Sequence, residues 1–265
     1  MKLKKLCAAL AVAGLAHSAH AISVTSSTDA NALAAYLAGA GVTISNATLT
    51  YNTASPAGIF SGGGSSVGFG SGVALTTGTT DCIAGPNSQA GCTGSGSSTS
   101  LKFDFTSSTG SIFFNYVFGS EEYNQYVGSQ YNDQFELLLN GVNIALLPGG
   151  AGVVSINNVN CGINSGYYVN NNSGEANTPP GCTNAGLDIQ LDGLTKVLTA
   201  SAAVLAGEIN TFEFLIYDVG DSNLDSVVFI QQGTFSGTPT DIPEPGTLAL
   251  AGLGLAALAT RRRRS

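Results

Sequence analysis

Two acidic loops hold most of the side chains in this chain that could do chemistry. The first runs from Phe118 to Asp133 and contains two adjacent glutamates, several amides and three tyrosines. The second, from Tyr217 to Ser226, contains three aspartates. Carboxylates that lie close together repel unless a cation neutralises them, and their oxygens suit calcium. We therefore expect one or two calcium ions to order these loops, with the following ligands: Glu121, Glu122, Asp133, Asp218, Asp221 and Asp225.

The same residues allow three other interpretations. Asp and Asn are ordinary turn residues, so the acids can simply cap turns and solvate the loops. Glu121 or Glu122, paired with Asp133 or Asp225, could form the two carboxylates of a glycoside hydrolase. Such a pair is easily found among many acids and no substrate platform is evident, so we predict no enzyme. A carbohydrate-binding module would instead stack sugar rings on tyrosines, although buried tyrosines are common at strand ends. The candidate rings are Tyr123, Tyr126 and Tyr131.

Both acidic loops connect segments that have the pattern of strands. Aromatic and β-branched stretches, separated by Gly, Asn and Asp, predict strands at 47–51, 101–105, 111–118, 133–139, 211–219 and 226–235. Two packed sheets are the natural way to bury them. The predicted fold class is therefore all-β, a two-sheet, jelly-roll-like β-sandwich with one short N-terminal helix and a C-terminal transmembrane sorting helix.

The N-terminal helix is expected to begin after a cap at Thr28 or Asp29. Leu33 and Leu37 fall on one face of it, and Gly39 is expected to end it. Gly- and Ser-rich stretches at 61–72 and 93–100 are predicted to be long surface loops. They lack Gly-Lys-Ser or Gly-Lys-Thr and are therefore not phosphate loops.

The N-terminus has the pattern of a secretory signal peptide. Three lysines precede an apolar stretch, and Ala19 and Ala21 supply the small residues that a signal peptidase reads. The mature chain is therefore expected to begin at Ile22. Both histidines, His17 and His20, are removed with the signal, which excludes most imidazole-based catalysis and zinc binding.

The C-terminus has three parts. A Pro-Glu-Pro motif, formed by Pro243, Glu244 and Pro245, is followed by an uncharged run at 246–260. That run is about 15 residues, whereas a helix normally needs ~20 to cross a hydrocarbon core, but its Ala, Leu and Gly suit a membrane. A buried core helix is the alternative. The basic cluster that follows argues against it and should stay cytoplasmic: Arg261, Arg262, Arg263 and Arg264.

Removing both ends leaves a strongly acidic body. Of the 17 acidic residues only Asp241 and Glu244 lie outside it, and of the nine basic residues only Lys102 and Lys196 lie within it. The body therefore has a formal charge near −13, which excludes nucleic acid as a partner.

Four cysteines remain in the mature chain. An even number in an exported protein predicts disulfides, and sequence alone allows three pairings. We favour Cys82 with Cys92 and Cys161 with Cys182, because each pair brackets one Gly- and Asn-rich loop. The second pair would staple the segment 157–184, which is predicted to be an excursion from the sandwich.

Two resemblances add to these expectations. The Pro-Glu-Pro motif, short apolar run and arginine terminus resemble the PEP-CTERM sorting signal, which implies recognition at 243–245 and processing by an exosortase. Several body segments are similar to the choice-of-anchor L family of exported bacterial domains, which implies a β-sandwich at the cell surface and no established activity. They are 72–78, 85–87, 120–133, 192–195 and 218–230.

The expected organisation is a signal peptide at 1–21, one domain at 22–236, a linker at 237–241 and the sorting signal at 242–265. We predict an exported, noncatalytic protein of the cell surface or extracellular matrix. Because exosortase systems accompany exopolysaccharide production, the resemblance also implies association with exopolysaccharide or biofilm. The other expected partners are signal peptidase, the exosortase-type enzyme and, transiently, the inner membrane. Calcium is the expected cofactor.

Overall fold

The computed structural model describes residues 21–88, 96–172, 174 and 178–240, so the sorting signal and nearly all of the signal peptide lie outside it. The described part contains the helix α1 (Ala30–Leu37) and thirteen strands. They are β1 (Ser23–Ser26), β2 (Val42–Tyr51), β3 (Ala57–Ser61), β4 (Ser71–Thr76), β5 (Ser98–Ser107), β6 (Ser111–Ser120), β7 (Gln134–Leu139), β8 (Val142–Asn143), β9 (Tyr168–Asn170), β10 (Gly193–Thr195), β11 (Leu198–Ala203), β12 (Asn210–Tyr217) and β13 (Ser226–Gln231).

The strands form two antiparallel sheets. The larger has the order β1-β3-β4-β13-β6-β10-β9, with β11 also paired to β6, and the smaller has the order β2-β5-β12-β7-β8. In the smaller sheet β12 buries Phe212, Phe214 and Ile216 and leaves the residues between them partly exposed. This alternation is that of a strand with one buried face. The predicted all-β fold with two sheets and one short helix is confirmed.

The larger sheet is buried on both faces. Its inner face packs on the smaller sheet, and a second apolar cluster, which includes Phe60, Val67, Phe69 and Phe229, covers its outer face. Val67 and Phe69 belong to the stretch at 61–72 that the sequence predicts to be a surface loop. The segment is a loop as predicted, but these two side chains fold back onto the sheet and are not at the surface. Isolated among glycines, they give no periodic signal.

Six phenylalanine rings join the two sheets. Phe235 is fully buried, and its ring centroid lies 5.0 to 6.3 Å from those of Phe103, Phe105, Phe114, Phe212 and Phe214. Its backbone also holds α1, because Phe235 N donates to Leu37 O at 3.1 Å and Gly39 N donates to Phe235 O at 2.8 Å. A Cβ on Gly39 would lie 2.2 Å from the Gly233 carbonyl oxygen. Gly39 is therefore needed for this close approach, and the helix ends earlier, at Leu37.

All six predicted strands are present, and α1 is capped by Asp29, whose carboxylate accepts from the backbone of Asn31 and Ala32. The sequence missed β3, β4 and β11, among others. The segment 157–184 is only partly an excursion, because it contains β9, which extends the larger sheet beside β10. The predicted disulfide between Cys161 and Cys182 is present. Cys82 is also disulfide-bonded, and its expected partner Cys92 lies outside the described residues.

One end of the sandwich carries both acidic loops. β6 ends at Ser120 and β12 ends at Tyr217, and each is followed by one of the loops. Ser226, which begins β13 after the second loop, pairs with Ser120, so that loop returns to the same place. We name this the acidic end and define it by residues 121–133 and 218–225.

The chain leaves the body at the opposite end. Thr109, in the turn that precedes β6, donates its hydroxyl to Gly237 O at 2.6 Å. We name this the exit end and define it by the turns at 107–110, 140–142 and 203–210 together with residues 236–240. Since β6 spans both ends, they lie roughly 30 Å apart at ~3.3 Å per residue. In the part of the chain that the structure describes, no helix has the length and apolar character that a membrane crossing needs.

Replacing Phe235 with Ala is expected to lower the free energy of unfolding by about 3–5 kcal/mol, because five rings lose their common neighbour and the cavity cannot fully collapse. Phe235→Leu should cost less, since it keeps most of the volume. Tyr51→Ala is the control, because Tyr51 is 43% exposed. Urea unfolding measures all three, and a Phe235→Ala loss no larger than that of Tyr51→Ala would contradict the role given to this ring.

Candidate functional site at the acidic end

The first acidic loop turns inward directly after β6. Glu121 N donates to Asp225 O at 3.1 Å, which ties this loop to the second one. Glu122 N donates to the Ser120 hydroxyl at 2.9 Å and closes a tight turn. As a result both glutamates are buried, with 2% and 1% of their surfaces exposed.

Asp133 is the carboxylate that joins the two loops. Its Oδ2 accepts from the Ser226 hydroxyl at 2.7 Å, and its Oδ1 accepts from the Val219 amide at 3.0 Å. Ser226 is held in turn by its own amide, which donates to the Thr77 hydroxyl at 2.9 Å. Asp133 is therefore fixed by both loops and, through Thr77, by the segment that follows β4.

Asp225 depends on a glycine that sequence reasoning did not assign to the site. A Cβ on Gly78 would lie 1.7 Å from Asp225 Oδ2, so the carboxylate occupies the space that any other residue would fill. Gly78 lies at the end of the segment 72–78 that carries part of the family resemblance. That resemblance was the available signal, but only the structure connects the segment to an aspartate far along the chain.

Glu122 and Asp218 are the least satisfied acids of this end. Glu122 Oε2 is buried and makes no hydrogen bond. Neither oxygen of Asp218 makes a well-formed hydrogen bond, although the Thr77 hydroxyl and the Asp133 carboxyl approach it closely. Asp221 differs from both, because it is exposed and its carboxylate accepts from the Asn223 amide within its own turn.

Burial raises the pKa of three carboxyl groups here. The pKa of Glu122 rises to about 8, first because the charged form loses water and then because Asp133 and Asp221 are negative. The pKa of Asp218 rises to about 9, through burial and then through Asp133. Burial raises the pKa of Asp133 only to about 6, because the bonds from Ser226 and Val219 stabilise its charged form. At neutral pH such a cluster holds protons or needs a cation.

The structure therefore brings together most of the sequence-predicted acids, but not as a finished metal centre. Among the described residues, no group of three or more carboxylates or thiols is spaced to hold a metal ion. Nor does any ion pair reach Glu122, Asp133 or Asp218 in this part of the chain. Lys102 lies elsewhere, on the smaller sheet, where its Nζ is 3.8 Å from Glu213 Oε2.

The three candidate tyrosines have different surroundings. Tyr123 is fully buried, with its ring centroid 4.9 Å from that of Tyr168, so it offers no face to a sugar. Tyr126 and Tyr131 are partly buried and meet edge to face at 5.3 Å. The three rings do not form a common stacking platform.

Two adjoining clefts lie beside the disulfide between Cys161 and Cys182, and none of the six candidate acids lines them. The larger, of about 420 Å³, is lined by Ser165, Tyr168, Asn170 and Thr183 among others. The smaller, of about 210 Å³, is lined by the amides Asn124, Gln125 and Asn160 together with Val127, Cys161 and Pro179. Sequence reasoning missed this amide-rich surface because it is assembled from segments far apart in the chain.

Without metal ions, the folded domain is expected to lose stability as pH rises from about 4 to about 9. The three shifted pKa values exceed their ordinary values of 4.5 and 3.8, so the folded chain binds more protons than the unfolded chain in this range. The protonated carboxyl groups of Glu122, Asp133 and Asp218 therefore contribute fully to the free energy of unfolding near pH 4, and this contribution is lost near pH 9. Asp218→Asn should flatten this dependence.

Urea unfolding in EDTA at a series of pH values measures the effect. Glu208→Gln is the matched control, because Glu208 is exposed at the exit end. Stability that increases from acid to mildly alkaline pH would contradict the expectation.

Two family models match this chain. The PEP-CTERM protein-sorting motif matches residues 241–264 and implies export, handling by exosortase-type machinery and a surface or extracellular location. The choice-of-anchor L domain matches residues 22–236. Both are sorting or anchor types and not catalytic ones. No curated protein and no solved structure matches the chain. Because the domain match covers most of its length, the chain belongs to the choice-of-anchor L domain family.

Proposed function

We propose that this protein is a noncatalytic module of the bacterial surface or extracellular matrix whose acidic end is ordered by calcium. The observation that supports this most is the burial of Glu122 Oε2 and both Asp218 oxygens without a hydrogen-bond partner of good geometry. They lie beside Asp133 in a body whose formal charge is near −13. Before processing, the sorting segment holds this body at the outer face of the inner membrane.

Calcium suits this end better than a transition metal. It takes 6–8 oxygen ligands and accepts backbone carbonyls and water besides carboxylates. Asp133 and Asp218 would supply the central charge and Glu122 a third carboxylate. Asp221 lies in an exposed turn, from which its carboxylate can reach an ion bound by Asp133 and Asp218. At neutral pH the ion would take the place of the protons that otherwise relieve the repulsion.

Calcium is expected to raise the melting temperature of the domain at mildly alkaline pH. Binding to the folded chain alone adds about 2.7 kcal/mol when free calcium is a hundred times its Kd. Asp218→Asn and Glu122→Gln should each weaken the shift, whereas Glu208→Gln should keep it. Calorimetry and thermal melting with calcium, magnesium or EDTA measure this. If calcium produced neither heat nor a shift, protons alone would relieve the repulsion and the calcium proposal would fail.

A second candidate function is binding of exopolysaccharide at the clefts beside the disulfide between Cys161 and Cys182. Their amides and hydroxyls are groups that can hydrogen-bond sugars. These clefts are open to solvent, whereas the candidate sugar-stacking ring of Tyr123 is buried. The buried Glu121 and Glu122 do not line these clefts, which supports binding without hydrolysis.

Polysaccharide binding is expected to be lost in Thr183→Trp, which adds a bulky ring to the cleft lining, and kept in Thr48→Trp, which alters an exposed site on β2. A glycan array and co-sedimentation with exopolysaccharide measure binding, and a reducing-sugar assay measures hydrolysis. Sugar release that disappears in Glu121→Gln and Glu122→Gln would identify an enzyme and overturn the noncatalytic proposal. Equal binding by both Trp variants would move the site away from the clefts.

A further inference from the structure

The most exposed large apolar side chains gather at the exit end. Among the described residues, Ile209, Leu205 and Val142 are the three highest, with 76%, 71% and 65% of their surfaces exposed. Leu205 and Ile209 stand in the turn between β11 and β12, and Val142 follows the turn between β7 and β8. Such side chains are costly to leave in water, so their grouping at one end needs an explanation.

Hydrogen bonds make these turns one continuous surface. Asn140 Nδ2 donates to Asn210 Oδ1 at 3.0 Å, and Thr211 N donates to Asn140 Oδ1 at 2.8 Å, which fixes the β7–β8 turn beside Ile209. On the other side, Gly207 N donates to Ser107 O at 2.9 Å. Leu205 is therefore held against the turn at 107–110, which also binds the departing chain.

The departing chain leads from this surface to the segment that is predicted to enter the membrane. Thr109 holds Gly237, and the uncharged run of the sorting signal begins at Gly246. Nine residue steps reach at most roughly 30 Å, at ~3.3–3.6 Å per residue. Pro239, Pro243 and Pro245 limit the slack further. The membrane-entering run is therefore tethered to the body at the same end as the apolar surface, which favours this end as the one that faces the membrane.

The distribution of charge agrees with this orientation. The candidate carboxylates lie at the acidic end, roughly 30 Å from the exit end along β6. Glu208 is exposed between Leu205 and Ile209, so a zwitterionic headgroup region suits this surface better than an anionic one.

We propose that Val142, Leu205 and Ile209 dock into the headgroup region of the membrane's outer face while the sorting signal is uncleaved, which points the acidic end away from the cell. The inference rests on the membrane-held intermediate of the proposed function. The partner is a zwitterionic lipid surface, and the insertion is shallow because only turn side chains take part.

The chain has no tryptophan, so single reporters can be read without background. Leu205→Trp, Ile209→Trp and Tyr51→Trp are each made in the chain from Ile22 to Ser265, which keeps the sorting signal and lacks the signal peptide. They are reconstituted separately into dioleoylphosphatidylcholine vesicles, with and without brominated phosphatidylcholine. Tyr51 is the control, because it is 43% exposed and ends β2 beside the acidic end. The first two reporters should shift to the blue and lose about half of their emission, since interfacial apolar groups lie ~5–10 Å deep. Tyr51→Trp should do neither.

The outcomes are distinguishable. If the chain does not co-sediment with vesicles, the membrane-held intermediate is wrong and the docking falls with it. If it co-sediments but neither exit-end reporter is quenched, or all three are quenched alike, only the docking is overturned. A blue shift that depends on protein concentration and needs no lipid would show that a second copy covers this surface, and would also overturn it. Melting temperatures equal to that of the parent chain verify that the reporters are folded.

Discussion

The packing of Phe235 among five other phenylalanine rings is the interaction on which the rest of the structure depends. It joins the two sheets, and its backbone fixes the end of α1 and the point where the chain leaves the body. With the sheets held in this relation, antiparallel pairing decides which loops meet. Both acidic loops follow strands that end on the same side, so their meeting at the acidic end is a consequence of register and not of attraction between them.

That consequence has an energetic cost. Acids brought together by the scaffold repel one another, and burial removes the water that would screen them. Asp133 is compensated by Ser226 and Val219, whereas Glu122 and Asp218 keep oxygens without good partners. A small body of this charge retains such groups only when something outside the chain, a proton or a cation, neutralises them. The rigid core keeps the acids close together in spite of their repulsion, because in a less tightly packed domain the two loops could move apart.

Local pattern predicted the parts of the fold that depend on local chemistry. Aromatic and β-branched stretches identified strands such as β6 and β12, and Asp29 was one of the two residues recognised as a candidate helix cap. Local sequence pattern did not predict the features that depend on contacts between residues far apart in the chain. β11 is rich in alanine, and Phe69 is buried only because the chain folds back onto the larger sheet.

The candidate site shows the same division. The acids were identified by type and by their position after strong strands, but the burial of Tyr123 and the dependence of Asp225 on Gly78 follow from contacts between distant segments. The two ends of the molecule also impose different requirements. In the proposed membrane-held orientation, the exit end lies near the membrane and the acidic end is the part that meets the surroundings first. The buried carboxyl groups of that end need a proton or a cation to relieve their repulsion, so the proposed calcium binding would couple the ordering of these loops to the medium outside the cell.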